Sequence, residues 1–367
     1  MRRWADLLVP PLVAIAVALL LGALVIWLVG KDPLEAYRAL FLGSVGSKRR
    51  LAETLLKAVP LILTGLSVAL AFHAGLFNIG GEGQFLVGGM AGAIVGFSLG
   101  LPPALHIPLT LLGGLLGGAV YGFIPAWLKV RFGVHEVINT IMLNWIALLV
   151  VQWMVSKGGP FHDAESGTGS PEIAASAQLP ILLEGTRLHY GLFLSLAVAL
   201  LVAYILRRTT TGYELKAVGF SPLAAEYGGI SLRRNVLLAM SLAGAFAGVA
   251  GAMQYMGLEN RVPVTLDFSG YGFDGIAVAL VGRNDPFGVI LAALLFAALR
   301  TGGQTMQLEA DISKDLVSLV QAIVILFMVA PEVFRFLLPR LRPPVIEGEE
   351  GGPLPLVKPA PGIEDEK

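Results

Sequence analysis

Long runs of apolar residues, separated by short polar segments, constrain this chain more than any other feature of its sequence. Hydrophobic residues make up 55% of the 367 residues and charged residues only 14%, whereas soluble domains typically carry about 25% charged residues. A helix needs about 20 apolar residues to cross the hydrocarbon core of a bilayer. The pattern predicts an all-α polytopic membrane protein, since a β-barrel would show alternating segments of about 10 residues.

Ten apolar runs predict nine or ten membrane crossings. They are Val9–Val29, Ala58–Phe72, Phe85–Leu99, Leu105–Leu128, Val137–Val155, Tyr190–Leu206, Val236–Met256, Gly272–Gly282, Phe287–Leu299 and Leu316–Ala330. The runs Gly272–Gly282 and Phe287–Leu299 are short and flank the sequence RNDP, which is typical of a discontinuous or re-entrant element. We predict one transmembrane domain over residues 1–342. The Pro-, Gly- and Glu-rich segment 343–367 is predicted to be a disordered cytoplasmic tail.

Basic residues orient these spans, because Lys and Arg are enriched in cytoplasmic loops. The loop 207–235 contains five of them, and Arg2 and Arg3 precede the first run. Both termini and this loop are therefore predicted to be cytoplasmic. The loop Ser156–His189 has two basic and four acidic residues and is predicted to be extracytoplasmic. The segment 31–57 disagrees, because the count of spans places it outside although it contains SKRR; an amphipathic piece at the interface would explain this.

Several classes of chemistry lack their sequence signatures. The chain has no cysteine, and its five histidines show no metal-ligand spacing. The P-loop pattern and the GxSxG and HExxH motifs are also missing. A net charge of zero disfavours a nucleic-acid partner that is held by phosphate neutralisation. We therefore predict a chain that is not an enzyme and binds no metal or cofactor, embedded in a lipid bilayer.

The segment GLFNIGGEGQ, residues 75–84, places polar residues and four glycines between two apolar runs. Non-helical backbone at membrane depth persists only where it is buried in protein or lines a watery cavity, and a charge there is costly. Asn78, Glu82 and Gln84 are therefore candidates for the wall of a solute path. The alternative is a plain solvated turn between two spans.

Three further polar residues, Asn139, Asn144 and Asp274, are candidates for the same path. Asn139 and Asn144 lie in an apolar run, and Thr140 shares a helix face with Asn144. They would line the path or, as the favoured alternative, form hydrogen bonds between helices. Asp274 lies next to the predicted break, where it would contact solute or, as favoured, cap the N-terminus of a half-helix.

The polar stretch Thr211–Asn235 predicts two short helices outside the bilayer. Ser221 and Pro222 suit the N-cap and first position of the second helix. Small residues that let a helix enter a groove follow there: Ala224, Ala225, Gly228 and Gly229. Docking to a partner protein is favoured over a basic loop held by lipid headgroups.

Glycines also recur at four-residue spacing within the apolar runs. Examples are Gly88 with Gly92 and Gly96, Gly113 with Gly117, Gly114 with Gly118, and Gly244 with Gly248. Such ridges let helix backbones approach closely in lipid, where van der Waals packing drives association. They predict a compact bundle and do not by themselves indicate a function.

Four motifs in this order resemble the permease subunits of bacterial ABC importers. They are GLFNIGGEGQ, HEVINTIMLNWIA, GYELKAVGFSPLAAEYGGIS and FDGIAVALVGRNDPFGVILAALL. The resemblance covers residues 58–330 and is strongest to nucleoside and simple-sugar permeases, within the group that includes ribose and branched-chain amino acid permeases. One departure is Phe220, which stands where the family more often has Asn.

The resemblance implies a type II importer-like bundle in a bacterial inner membrane. It implies two permease chains, identical or related, two ATPases that hold ATP and Mg²⁺, and an extracytoplasmic solute-binding protein that docks on the loop 156–189. Residues 75–84 would line or shape the path. The residues that would couple to the ATPase are Gly219, Ser221, Pro222, Ala224, Ala225, Tyr227, Gly228, Gly229 and Ile230.

The implied solute is a nucleoside or related riboside, with a simple sugar such as ribose or galactose as the alternative. A secondary transporter driven by protons or sodium is an alternative from another class. It would need ionisable residues inside its spans, and these are sparse in the ten apolar runs.

Overall fold

The computed structural model of the chain describes residues 17–329, so the predicted tail 343–367 and the start of the first apolar run lie outside it. In this range the regular elements are helices, with two isolated β-bridges. The helices are α1 (Val17–Leu28), α2 (Pro33–Val45), α3 (Lys48–His73), α4 (Gly81–Ser98), α5 (Pro103–Phe132), α6 (Glu136–Val155), α7 (Gly191–Arg208), α8 (Thr210–Phe220), α9 (Pro222–Tyr227), α10 (Leu232–Gln254, extended by a π-helical turn Tyr255–Glu259), α11 (Tyr271–Val281), α12 (Pro286–Glu309) and α13 (Lys314–Val329). The all-α prediction is confirmed.

Within residues 17–329, each of the ten predicted apolar runs falls on a helix. Six helices between residues 17 and 329 are long and apolar enough to cross a membrane: α3, α5, α6, α7, α10 with its π-helical turn, and α12. The break at RNDP separates α11 from α12. With 11 residues, α11 is about 16 Å long and is a half-helix. The second predicted run, Phe287–Leu299, belongs to a full-length helix, α12. The polar residues that follow Leu299 remain helical as far as Glu309.

Helix ends coincide with residues that suit them chemically. Ser47 caps α3 by accepting a hydrogen bond from the backbone N–H of Arg50. Asp285 caps α12 in the same way, and Pro286 occupies the first turn of that helix. The backbone of Gly133 takes the left-handed conformation that ends α5.

The centre of the bundle is a glycine seam between α4, α5 and α10. Gly88 lies against Gly248, and Gly118 lies against both Gly244 and Gly248. A Cβ atom at any of these positions would overlap the backbone of the neighbouring helix. The predicted close packing is therefore confirmed, and these three helices form a rigid base for the segments around them.

The bundle has two ends that carry different elements. At one, the α9 end, the ring Nε2 of His73 lies 3.0 Å from the carbonyl oxygen of Asn284, and Gly219 of α8 packs on the backbone of His73. At the other, the loop end, Arg187 of the long loop pairs with Glu53 of α3 at 2.8 Å. The helices α3 and α12 run antiparallel between the two ends.

The segment 31–57, whose side was ambiguous, lies at the loop end. It forms α2 and the first turns of α3, and α2 packs on α12 through small residues such as Gly43, which lies against Thr305. Arg50 forms an ion pair with Glu309, so one charge of the SKRR sequence is partnered within the chain. Residues 31–57 therefore lie at the same end of the bundle as the loop 156–189, which is the relative placement that the count of spans predicts.

Candidate functional site

Helices α4 and α11 begin at the same place inside the bundle. The backbone of Gly272 touches that of Glu82, so closely that a Cβ atom at Gly272 would overlap it. Gly275, three residues further along α11, packs on Thr64 of α3. Thr64 lies nine residues from His73, which is about 14 Å at 1.5 Å per residue, and the start of α11 lies three residues further from the α9 end, at about 18 Å. This is close to the middle of a hydrocarbon core of about 30 Å.

Glu82 joins the two helix starts through its carboxylate. One oxygen accepts hydrogen bonds from the Ser269 hydroxyl at 2.8 Å and the Gly270 N–H at 2.9 Å. The other accepts from the Gly272 N–H at 2.7 Å. The residue is 0% exposed. The first N–H groups of a helix have no partner within it, so the side chain of Glu82 supplies acceptors that α11 itself lacks.

A buried carboxylate is tolerated here because two helix N-termini face it. Glu82 lies in the first turn of α4 and accepts from the first turn of α11, and the positive end of a helix dipole stabilises an anion. The backbone of Gly270 has φ of +77°, a conformation that favours glycine. The cap of α11 is therefore Glu82, and the favoured interpretation of Asp274 as the capping residue is wrong.

Asn78 and Gln84 form a second closed polar pair beside Glu82. The Asn78 amide nitrogen donates to Gln84 at 2.9 Å, and the Gln84 amide nitrogen donates back at 3.2 Å. The Gly80 N–H also donates to Asn78 at 3.0 Å. Both side chains are buried. The pair supplies hydrogen bonds to the non-helical segment between α3 and α4, as the burial requirement for such backbone demands.

The polar residues of α6 face the same segment or a neighbouring helix. Asn144 accepts from the Gly83 N–H at 2.8 Å and donates to the Ile79 carbonyl at 3.0 Å. Asn139 donates to the Pro125 carbonyl of α5 at 3.3 Å. These contacts match the favoured interpretation of hydrogen bonds between helices. Contact of these two residues, or of the Asn78, Glu82 and Gln84 cluster, with a solute stays a prediction.

Asp274 faces a different part of the bundle. Its carboxylate lies 3.5 Å from the guanidinium Nη1 of Arg300 on α12. Arg300 also donates to the Ser269 carbonyl, and its guanidinium carbon lies 4.2 Å from the centre of the Tyr271 ring. Through Ser269, the Arg300 cluster is connected to Glu82.

Sequence reasoning missed Arg300 and also Lys57, which donates to Gln304 at 2.7 Å. Each of these charged residues marks the end of a predicted apolar run. Lys57 comes immediately before Ala58, and Arg300 comes immediately after Leu299. The helices continue past these charges. Lys57 and Arg300 therefore lie inside helices that the predicted runs had ended. Extending each apolar run across its flanking charge would have found them.

The helices α8 and α9 project a contrasting surface at the α9 end. Ser221 caps α9 and Pro222 opens it, which confirms the predicted pair of short helices. Phe220 is 95% exposed and Tyr227 93%, although neither lies in a helix long enough to cross a membrane. We call Phe220, Leu223 and Tyr227 the α9 surface.

Comparison with known proteins decides the family. Residues 50–329 match the family described as branched-chain amino acid transport system / permease component. The chain belongs to this permease family. We call the place where Glu82, Asn78 and Gln84 join the starts of α4 and α11 the Glu82 junction. The match runs from the first turn of α3 to the end of α13, so both the Glu82 junction and the α9 surface lie within the shared part of the permease.

Three relatives of the permease are similar over most of its length. The guanosine ABC transporter permease protein NupP of Bacillus subtilis is 42% identical over 93% of this chain and 98% of its own. The nucleoside ABC transporter permease protein NupB of Lactococcus lactis is 38% identical over 90% and 93%. The glucose ABC transporter permease protein TsgB13 of Haloferax volcanii is 35% identical over 89% and 88%. The chain is thus an ABC transporter permease and a multi-pass membrane protein.

The residues predicted to couple the permease to an ATPase lie on two sides of the α8–α9 segment. Ala225 is buried and Ile230 half-buried, whereas the remaining members between Pro222 and Gly229 are exposed. Gly219 lies at the root, where a Cβ atom would overlap the carbonyl oxygen of His73. The segment therefore presents one exposed side and is seated on the bundle by the other.

Proposed function

We propose that this permease forms the path of an ATP-driven importer for nucleosides. The observation that carries the solute class is the similarity to NupP and NupB, at 42% and 38% identity over about nine-tenths of the chain. ATP and Mg²⁺ belong to a separate ATPase in this proposal, and the permease contributes the path and the contact through which hydrolysis moves it.

The α9 surface is the proposed binding site of that ATPase. Large apolar side chains at 71–95% exposure on a segment outside the spans favour a protein partner, because contiguous exposed apolar patches mark interaction sites. This assigns the α9 end to the cytoplasm, together with both termini. The exposed residues Ala224, Gly228 and Gly229 would let the partner approach the backbone of α9.

The seat of α8 suits the transmission of motion into the bundle. Gly219 packs on His73 at the end of α3, and His73 contacts Asn284 between α11 and α12. Arg207 at the end of α7 forms an ion pair with Asp285, the cap of α12. A displacement of α9 would therefore reach α3, α7 and α12 as rigid elements, which is how packed helices transmit a shift.

The loop end is the proposed docking site of an extracytoplasmic solute-binding protein. The long loop is held to the segment after α10, where the Ser170 N–H donates to Val262 at 2.9 Å and the Ile173 N–H to Asn260 at 2.8 Å. Arg261 adds a bond to Thr168 at 2.6 Å. A loop fixed in this way presents a defined surface to a partner. A second permease chain, identical or related, completes the path.

Uptake by the assembled transporter tests this function. The complex is isolated through a tag on this chain and reconstituted in vesicles. ATP is enclosed in the lumen, on the side of the α9 end, and tritiated guanosine and the solute-binding protein are added outside. We expect accumulation that stops when ATP is replaced by a non-hydrolysable analogue. Accumulation by the chain alone, driven by a proton or sodium gradient, would contradict the proposal.

A simple sugar is the second candidate, favoured by the 35% identity to a glucose permease protein. Competition separates the two solutes. If a hundredfold excess of unlabelled glucose or ribose leaves guanosine uptake unchanged while unlabelled inosine abolishes it, the nucleoside assignment holds. The reverse pattern would move the permease to the sugar group.

A further inference from the structure

A column of polar pairs follows α3 and α12 from the loop end into the bundle. At the loop end, Arg187 donates to Glu53 through two nitrogens, at 3.0 and 2.8 Å, and this bonding raises the pKa of Arg187. One turn deeper on α3, Lys57 donates to Gln304 of α12. One turn deeper on α12, Arg300 meets Asp274.

The spacing makes these pairs a continuous feature rather than scattered charges. Glu53 and Lys57 are four residues apart on α3, and Gln304 and Arg300 are four apart on α12, so each pair of residues shares a helix face. Since the helices are antiparallel, each step descends about 6 Å at 1.5 Å per residue. The column ends near mid-depth, at the Ser269 carbonyl beside the Glu82 cap.

Two cavities flank the column and meet at Gln304. The cavity nearer the loop end has a volume of about 430 Å³ and is lined by Arg49, Glu53, Arg187 and Gln304, among others. The deeper one has a volume of about 520 Å³ and lies between α11, α12 and α13. Its polar lining consists of Asp274, Arg300, Gln304, Gln307, Ser318 and Gln321. A cavity of 300–1,000 Å³ is the usual size for a small-molecule site.

The deep cavity contains a donor that makes no hydrogen bond within the described residues. Nη1 of Arg300 is buried and makes no hydrogen bond, and its distance of 3.5 Å to the Asp274 carboxylate exceeds ordinary hydrogen-bond length. Asp274 thus pairs with the charge of Arg300, but a buried donor that is left without a hydrogen bond is costly. By contrast, the polar side-chain atoms of Asn78, Glu82 and Gln84 at their junction have partners.

We propose that the deep cavity is the solute subsite of this permease and that the column leads to it from the loop end. This rests on the proposed function and names the residues that recognise the solute. Arg300 donates to an oxygen of the nucleoside, and Asp274 accepts from its N–H or O–H groups. The charges of Arg300 and Asp274 in the cavity lining oppose each other, so the site suits an uncharged solute.

Single-cysteine labelling tests the cavity directly, since the natural chain has no cysteine. In the assembled transporter, Ser318→Cys and Gln304→Cys are treated with a membrane-impermeant thiol reagent, with and without guanosine. Ser195→Cys is the matched control, because Ser195 is 0% exposed within the bundle. We expect both cavity variants to react and guanosine to protect them, whereas the control stays unlabelled.

Arg300→Gln tests the recognising group. Loss of a hydrogen bond from a charged donor should raise the guanosine concentration that gives half-maximal protection about tenfold or more. Arg38→Gln, on the exposed side of α2, is the control and should behave as the parent. If Arg300→Gln does not assemble, Gln307→Ala, which lines the same cavity, takes its place with the same expected direction.

The outcomes separate this inference from the proposed function. If the parent transporter imports guanosine but the cavity cysteines do not react, or react without protection, the subsite is wrong and the importer stands. Unchanged protection in Arg300→Gln overturns the role of that residue. If the parent imports no nucleoside at all, the proposed function itself fails.

Discussion

The Glu82 junction and the α9 surface reverse the usual placement of residues in opposite ways. At the junction, a carboxylate and amide side chains are buried at mid-depth, where their hydrogen bonds close within the chain. On the α9 surface, aromatic and aliphatic side chains stand exposed outside the spans. A buried polar group whose hydrogen bonds are all made within the chain needs no further partner. An exposed apolar surface is stabilised when a partner buries it.

The difference shows which unusually placed residues stabilise the fold and which are available to contact a solute or a partner. A charged residue in the middle of a membrane segment is by default a functional hypothesis. Glu82 departs from that default, because three donors of its own chain occupy it. Arg300 follows it, because one of its nitrogens is buried without a hydrogen bond in a cavity. Bonding state, more than residue type, separates the two.

The largest expected loss of stability comes from Glu82→Ala. The substitution leaves the Ser269 hydroxyl and the N–H groups of Gly270 and Gly272 without their acceptor at membrane depth. At 1–3 kcal/mol for each, the cost is on the order of 5 kcal/mol. We expect little folded protein, measured as the monodisperse fraction after heating in size-exclusion chromatography. Glu82→Gln keeps the shape of the side chain and should lose less stability. If Glu82→Ala and the parent lost half of their monodisperse fraction at the same temperature, the comparison would fail.

Asn144→Ala should cost about 2 kcal/mol, because it removes the acceptor of the Gly83 N–H and the donor to Ile79. The same thermal assay measures it. Asn139→Ala is the internal comparison: it removes one longer hydrogen bond to Pro125 and should cost about 1 kcal/mol or less. If Asn139→Ala proved the more damaging change, α6 would not be held through the segment between α3 and α4.

The smallest effect on stability is expected from Tyr227→Ser on the α9 surface. The side chain is 93% exposed, and surface substitutions usually change stability by less than about 0.5 kcal/mol. The ATPase should nevertheless be lost from the purified complex, as judged by its band on a gel. Tyr204→Ser, at a tyrosine of α7 that is 61% exposed, is the matched control and should retain the ATPase. Retention by both variants would remove the α9 surface from the proposal.

Local signals predicted where several helices begin, break and pack, although α3 and α12 extend beyond the apolar runs that predicted them. The Ser221–Pro222 start of α9 and the break at RNDP appear where the sequence indicates them. The glycines at four-residue spacing meet across helices as expected, for example Gly88 with Gly248. These features depend on residues that are close in the sequence or on a repeated pattern, and both can be recognised without knowing the fold.

The partners of the polar residues were not predictable in the same way. Glu82 bonds to Gly272, 190 positions away, and Lys57 bonds to Gln304, 247 positions away. Asp274 was assigned a local capping role that Glu82 performs from another helix.

The amino-acid sequence by itself determined that the chain is a helical membrane protein, where its helices break and which family it resembles. Only the tertiary structure decided that Glu82 is a satisfied cap and that Lys57, Gln304, Arg300 and Asp274 form one column beside a cavity. The physical reason is that hydropathy and capping act over a few residues, whereas the state of a buried charge depends on donors and acceptors that distant helices bring to it.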